Sequence, residues 1–218
     1  MMKLLSVNVS LPREAIHMRK PVTTGIFKEP VRGRVMLRRL NLDGDGQADL
    51  ENHGGEYKAV YAYAIEHYDH WRQELGRDGF PPGQFGENFT VQGMTEDDVH
   101  IGDVFRVGSA LVQVTQPRSP CYKLGLKMGL PHFPKQFLAS GRVGFYLRVL
   151  EEGEVGAGDL IERVRIDPER ITVREMLRLL YIERDDREAL ARALRIQALS
   201  PRRRAAFEER LCRTGECE

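Results

Sequence analysis

The stretch Leu111-Val-Gln-Val-Thr115-Gln-Pro-Arg118-Ser-Pro-Cys121-Tyr-Lys123 decides how the chain is read. Its first half belongs to Ala110–Gln116, a short run rich in β-branched residues that follows Gly108. That pattern predicts a strand. The second half is a loop stiffened by Pro117 and Pro120. Each proline fixes its own φ and restricts the residue before it, so Cys121 is presented with little freedom. Arg118 and Lys123 flank the thiol. Neighbouring cations lower a thiol pKa and favour thiolate, the form that acts as nucleophile or metal ligand. The same residues also suit a small buried cysteine beside two solvated bases.

Working outward, Lys3–Val9, Val31–Asn41, Gly144–Leu150 and Asp159–Ile166 are further strand-like runs. They are separated by Pro81-Pro82-Gly83, Gly102-Asp103, Gly153 and Gly156-Ala-Gly158. Many short strands with this punctuation predict a mainly β domain with some α, built as a barrel or sandwich. One helix interrupts it, Ala64–Leu75, with Ile65, Tyr68, Trp71 and Leu75 at helical spacing. Near residue 166 the pattern changes. Thr172-Val-Arg-Glu175 is a capping box, and Ile171 and Met176 stand at staple spacing. Asp185-Asp-Arg-Glu188 and Ser200-Pro201 open two more helices. The expected division is 1–165 for the β domain and 166–218 for a small three-helix domain. Three short helices make a small core, so this unit is expected to lean on the β domain or on a second subunit.

Composition excludes several classes. The 218 residues hold 33 Lys+Arg against 32 Asp+Glu, a net charge of +1. Duplex nucleic acid and an anionic membrane surface are therefore not expected partners. No stretch approaches a transmembrane helix and no signal peptide is visible, so a cytoplasmic location is expected. Residues 163–218 carry 14 Arg, no Lys and 11 acids. The remainder is slightly acidic, so an anion site in the β domain must be local. Three cysteines fit poorly with a disulfide framework. Cys212 and Cys217 lack partners at zinc spacing and read as free thiols.

Two more segments offer ligand-binding chemistry. Asp49-Leu-Glu-Asn-His53-Gly-Gly55-Glu-Tyr-Lys58 combines a flexible backbone with a long cation that can reach a phosphate. Gly83-Gln-Phe-Gly86-Glu-Asn88-Phe-Thr90 offers N–H, amide and hydroxyl donors, but matches neither the P-loop nor the dinucleotide fingerprint. Asp43-Gly-Asp45-Gly-Gln47-Ala48-Asp49 begins like a calcium loop, yet position six is Ala48 and position twelve is Gly54. His67 and His70 read as surface histidines rather than metal ligands. Arg202-Arg203-Arg204 reads as the solvated first turn of a helix, not a nucleic-acid site.

Taken in order, Gly44–Asp49, His53–Tyr61, His67-Tyr-Asp-His-Trp71, Phe85–Thr90, Ile101–Asp103, Gln116–Leu124, Gly144–Val149 and Gly158-Asp159 resemble the MOSC domain family, specifically its YiiM type. The three-helix tail resembles the domain that follows MOSC in those proteins. The resemblance implies a β-barrel domain binding molybdenum cofactor (Mo-molybdopterin); pyridoxal phosphate is not expected. It implies Cys121 as the molybdenum ligand and catalytic centre. It offers His53, Lys58, Asn88, Thr90, Arg118, Lys123, Arg142 and Lys20 as cofactor contacts, with Asp49, Glu87 or a water as the acid. It further implies reduction of N-hydroxylated small molecules such as hydroxylaminopurines, with electrons from a separate redox protein. No flavin, haem or iron–sulfur motif is present in the chain. The tail is expected to serve homodimerisation or docking of that donor. Two other readings of Cys121 stand beside this one. One is a non-catalytic carrier of cofactor or sulfur. The other is a hydrolase nucleophile, which needs His53 or His132 in reach.

Overall fold

The computed structural model describes residues 1–213, apart from the side chains of residues 51 and 52. In chain order the elements are β1 (Lys3–Val9), β2 (Arg13–His17), β3 (Lys20–Thr24), β4 (Glu29–Pro30), β5 (Arg34–Leu37) and α1 (Leu50–His53). A 3-10 turn (Glu56–Lys58), β6 (Val60–Ala64), α2 (Glu66–Leu75), β7 (Phe89–Gln92), β8 (Val104–Val107) and β9 (Ala110–Pro117) follow. Then come α3 (Tyr122–Met128), α4 (Phe133–Ala139), β10 (Phe145–Glu151), β11 (Gly153–Gly156) and β12 (Ile161–Arg165). The tail is α5 (Val173–Tyr181), α6 (Arg187–Leu194) and α7 (Pro201–Arg213).

The main sheet has eight strands in the order β12-β8-β9-β10-β6-β7-β1-β4. Only β6 and β7 run parallel within it. The expected barrel does not close. β1 divides its free edge: Asn8 and Val9 pair with β4, while the opposite end meets the start of β12 through the single bridge Lys3–Leu160. Three backbone bonds support that bridge, and no ladder forms there.

Alternation across the pleat places two cores on opposite faces of the sheet. Val60 and Ala62 of β6 and Phe145, Leu147 and Val149 of β10 enter one core, with Phe105, Val112 and Val114. Tyr61 and Tyr63 of β6 enter the other, with Trp71, Phe85, Phe133 and Phe137. In this second core Trp71 Nε1 donates to the Tyr63 hydroxyl at 2.7 Å, so the buried indole is satisfied.

The tail completes the first core. Met176, Leu179, Leu180, Leu190, Ala193, Leu199 and Phe207 join the same cluster as the sheet residues. The capping box forms as spaced: Glu175 N–H donates to Thr172 Oγ1 at 3.0 Å, and Thr172 N–H donates to Glu175 Oε2 at 2.7 Å. Asp186 and Ser200 cap α6 and α7. The lean on the β domain is thus observed directly.

Several boundaries differ from expectation. Val31–Asn41 is not one strand, because Gly33 turns the chain with φ +81° between β4 and β5. Ala64 ends β6 rather than beginning a helix. α3 and α4 were not foreseen, being seven residues each and interrupted by Gly125 and Pro134. His67 is buried, not superficial; its Nε2 meets Glu96 Oε2 at 2.6 Å, and Gly144 N–H donates to the other carboxylate oxygen. Cys212, expected as a free thiol, is disulfide-bonded, because an odd cysteine count excludes a framework but not one bridge. Cys217 lies outside the described residues. No helix among the described residues is long and apolar enough to cross a membrane.

Candidate functional site

The site forms where β9 ends against β6 and β10. Register places Tyr146 opposite both Tyr61 and Gln116, so three adjacent strands present side chains at one spot. Arg118 N–H donates to Gly144 O at 3.1 Å, which holds the strand end before the chain turns. Arg118 then folds inward. Its guanidinium lies 4.4 Å from the Tyr61 ring centroid and 5.7 Å from that of Phe137. It also donates to the Phe85 carbonyl. Cation–π contact and this hydrogen bond compensate its removal from water.

Cys121 is extended (φ −119°, ψ 173°) and caps α3, its carbonyl accepting from Leu124 N–H at 3.0 Å. Burial pushes its thiol up, but a hydrogen bond with His53, the charge of Arg118 and the Lys123 backbone N–H outweigh burial and bring it to about 7. A substantial thiolate fraction therefore exists near neutral pH. His53 sits at the end of α1, its Nδ1 3.2 Å from Asp49 Oδ2. Asp49, His53 and Cys121 thus form one line, with the carboxylate orienting the imidazole that faces the thiol. Gly55, with φ +85°, turns the chain from α1 into the 3-10 turn that ends at Lys58. Lys58 Nζ stands 6.0 Å from the Tyr146 ring centroid. Its pKa is lowered, first by burial and then by Arg202 and Arg203.

A cleft in the β domain is lined by Thr24, Lys28, Asp49, Asn88, Arg118 and Lys123 as well as Cys121, His53 and Lys58. A second cavity of about 570 Å³ opens on the other side of the thiol. It shares His53, Lys58, Ser119, Cys121 and Tyr146 with the cleft and adds Ser200, Arg202, Arg203 and Ala206 from the tail. Cys121 therefore lies between a β-domain cleft and a cavity roofed by α7.

Of the nine predicted site residues, Cys121, His53, Lys58, Asn88, Arg118 and Lys123 come together in the cleft. Asn88 arrives already committed: its amide donates to Asn8 O and Asp45 Oδ2, and its Oδ1 accepts from Tyr61 N–H. Three expectations are corrected. Thr90 is fully buried beneath the cleft, donating to Glu87 Oε1 at 3.0 Å. Arg142 lines neither the cleft nor the neighbouring cavity; its guanidinium turns back to Ser140 O. Lys20 is exposed on the β2–β3 hairpin, and Thr24 and Lys28 reach the cleft in its place. Glu87 also drops out as an acid at the site. It is wholly buried, accepting from Gly83 and Phe85 N–H and from the Tyr68 and Thr90 hydroxyls. His132 begins α4 and does not line the cleft or the cavity.

Residues missed in the sequence fall into two groups. Tyr61 and Tyr146 were legible as the opposite-face members of β6 and β10. Lys28, Asp45, Arg202 and Arg203 gave no local signal. Lys28 and Asp45 form a buried ion pair, and Asp45 accepts from Ser10 N–H at 2.8 Å. The aborted calcium loop thus supplies a structural carboxylate.

Comparison with known proteins agrees with this architecture. Residues 49–162 match the MOSC domain model. The chain belongs to the MOSC domain family. Residues 171–213 match the YiiM-like 3-alpha helix domain, giving the two-part order of YiiM-type proteins. The chain is 45% identical over 204 residues to the Uncharacterized protein YflK of Bacillus subtilis, covering 94% of this chain and 92% of that one. The crystal structure of YiiM from Geobacillus stearothermophilus superposes with TM-score 0.82 at 38% identity, covering 97% of this chain and all of that one. A Gibberella moniliformis protein named Reductase is 35% identical over 143 residues, which are 64% of this chain and only 25% of that protein.

MOSC domains are associated in general with molybdenum cofactor. The donor set here fits that group. One soft thiol near neutrality suits a sulfur-rich centre whose remaining ligands come from the cofactor itself. Lys58, Lys123 and Arg118 supply positive charge around the cleft, while Lys28 is paired with Asp45. No cluster of three metal-ligating side chains occurs among the described residues.

Proposed function

We propose that this protein is a molybdenum cofactor-dependent reductase of N-hydroxylated compounds, hydroxylaminopurines among them. The overall change is R–NHOH plus two electrons and two protons to R–NH₂ plus water. The cofactor, when bound, supplies the two-electron couple. Electrons come from a separate redox protein. The observation that carries the reading is Cys121: a half-buried thiol brought to about 7, held by a rigid loop and walled by cations.

The chain's own residues divide the remaining work. Cys121 is the protein ligand, and Lys123, which joins no ion pair among the described residues, is the cleft cation for the cofactor's phosphate. Tyr61 and Tyr146 make the apolar walls. His53, oriented by Asp49, stands beside the thiol, where its ring N–H can be aimed at the leaving oxygen.

The Asp49–His53–Cys121 line also suits a cysteine nucleophile, so one experiment separates the two. The protein is purified from a host that makes the cofactor, and bound molybdenum and pterin are measured for wild type and Cys121→Ser. The expected result is metal in the wild type, and loss of both metal and hydroxylaminopurine reduction in the variant. A metal-free wild type that forms a covalent adduct with an ester or amide substrate would establish the nucleophile instead.

A further inference from the structure

The cavity roofed by α7 is not explained by a cofactor seated in the β-domain cleft. It is about 570 Å³, the size of a small-molecule site, and it opens directly on Cys121. Its cations come from two domains: Lys58 from the 3-10 turn, and Arg202 and Arg203 from the first turn of α7. The neighbouring Arg204 does different work, donating to Leu194 O and Ile196 O to close the end of α6. Arg202 and Arg203 join no ion pair among the described residues. The charged groups acting on Arg203 are Arg202 and Arg210, both repulsive, with the Tyr181 hydroxyl beside them. Lys58 in turn is disfavoured by burial and then by Arg202 and Arg203, against the attraction of Asp49. Elsewhere the chain pairs arginines readily, as in Arg195–Glu169 and Arg174–Asp97. Three cations gathered around a cavity, two of them without a carboxylate, repel one another until an anion arrives.

We propose that Arg202 and Arg203, with Lys58, form a subsite for the phosphate of a phosphorylated substrate, so that the helical tail selects N-hydroxylated nucleotides over free bases and nucleosides. The proposal rests on the reductase reading for the reacting group but not for the phosphate. Guanidinium groups suit phosphate through bidentate hydrogen bonds. The thiol lies at the junction of cleft and cavity, so a substrate anchored by its phosphate under α7 presents its base toward Cys121.

The same chemistry could instead serve the cofactor's own phosphate, and the test separates the two. Equilibrium dialysis is run on the full-length protein with 6-hydroxylaminopurine riboside and with its 5′-monophosphate, alongside a molybdenum and pterin assay. Wild type is expected to bind the monophosphate about tenfold or more tightly than the riboside. Arg202→Ala/Arg203→Ala should bring that ratio to about one with cofactor content unchanged, and the double Lys variant should restore part of it. A wild-type ratio near one overturns the proposal. So does a double Ala variant that loses its cofactor, since the arginines would then hold the cofactor phosphate. Thermal unfolding of each variant separates loss of the subsite from loss of the fold. A protein that shows the ratio and its arginine dependence but contains no molybdenum keeps the subsite and loses the reductase reading.

Discussion

Two sets of cations lie on either side of Cys121, and they are treated oppositely. Beneath the cleft Lys28, Lys127 and Arg118 are each answered. Lys28 pairs with Asp45, and Lys127 donates to the carbonyls of Ile26, Lys28 and Gly83. Arg118 has a carbonyl and two rings. Above the thiol, Arg202 and Arg203 face a cavity with no carboxylate among the described residues to meet them. Buried charge survives only when paired, so the lower set is architecture. Arg202 is exposed and Arg203 partly buried, its pKa lowered first by that burial, and an unpaired charge at a cavity wall is available to a ligand. The contrast teaches which cations hold the site up and which are offered to something else.

The largest break in that comparison is Asp45→Ala. It turns Lys28 into an unpaired buried ammonium and strips acceptors from Ser10 N–H and the Asn88 amide. The expected loss is about 3–5 kcal/mol, read from the urea midpoint.

Cys121 stands at the boundary and gives an intermediate effect. Its alkylation rate by iodoacetamide should rise with a midpoint near pH 7. In His53→Ala the midpoint should move upward, because a hydrogen bond that favours thiolate is gone. The sign for stability follows from the same shift. The folded thiol loses its proton at lower pH than the unfolded one, so stability should rise as pH passes from about 7 toward the ordinary thiol value of 9.0. Cys121→Ser should lack that slope.

The smallest effect should come from the upper set. Arg202→Ala/Arg203→Ala should change folding stability by no more than about 0.5 kcal/mol, because no native ion pair is lost. A drop comparable to that of Asp45→Ala would show that these arginines belong with the architecture after all.

Much of this arrangement was legible from residue order. β1 carries the expected limits, and the capping box at Thr172 and Glu175 formed from side chains three residues apart. The cluster of Cys121, Arg118, Lys123, His53 and Lys58 was visible as two short motifs. What escaped depends on which way a side chain faces and on what packs over it. Thr90 sits in a donor-rich motif, but β7 turns it toward Glu87. Lys20 and Lys28 are equally cationic, and only the end of the β2–β3 hairpin decides which one reaches the cleft. The arginine run looked like a solvated turn because nothing local records that α7 lies across the Cys121 loop. The open sheet follows from one strand edge shared between two partners, a matter of register that strand pattern does not encode.

The tail shares its core with the sheet and touches the loop carrying the thiol, where Tyr181 donates its hydroxyl to Ser119. Phe207, on the helix that roofs the cavity, is wholly buried in that common cluster. The roof packs on α6 and joins the sheet through that common cluster, so loosening α7 opens the core it shares with the rest of the tail. A ligand gripping α7 would tighten the whole molecule by mass action.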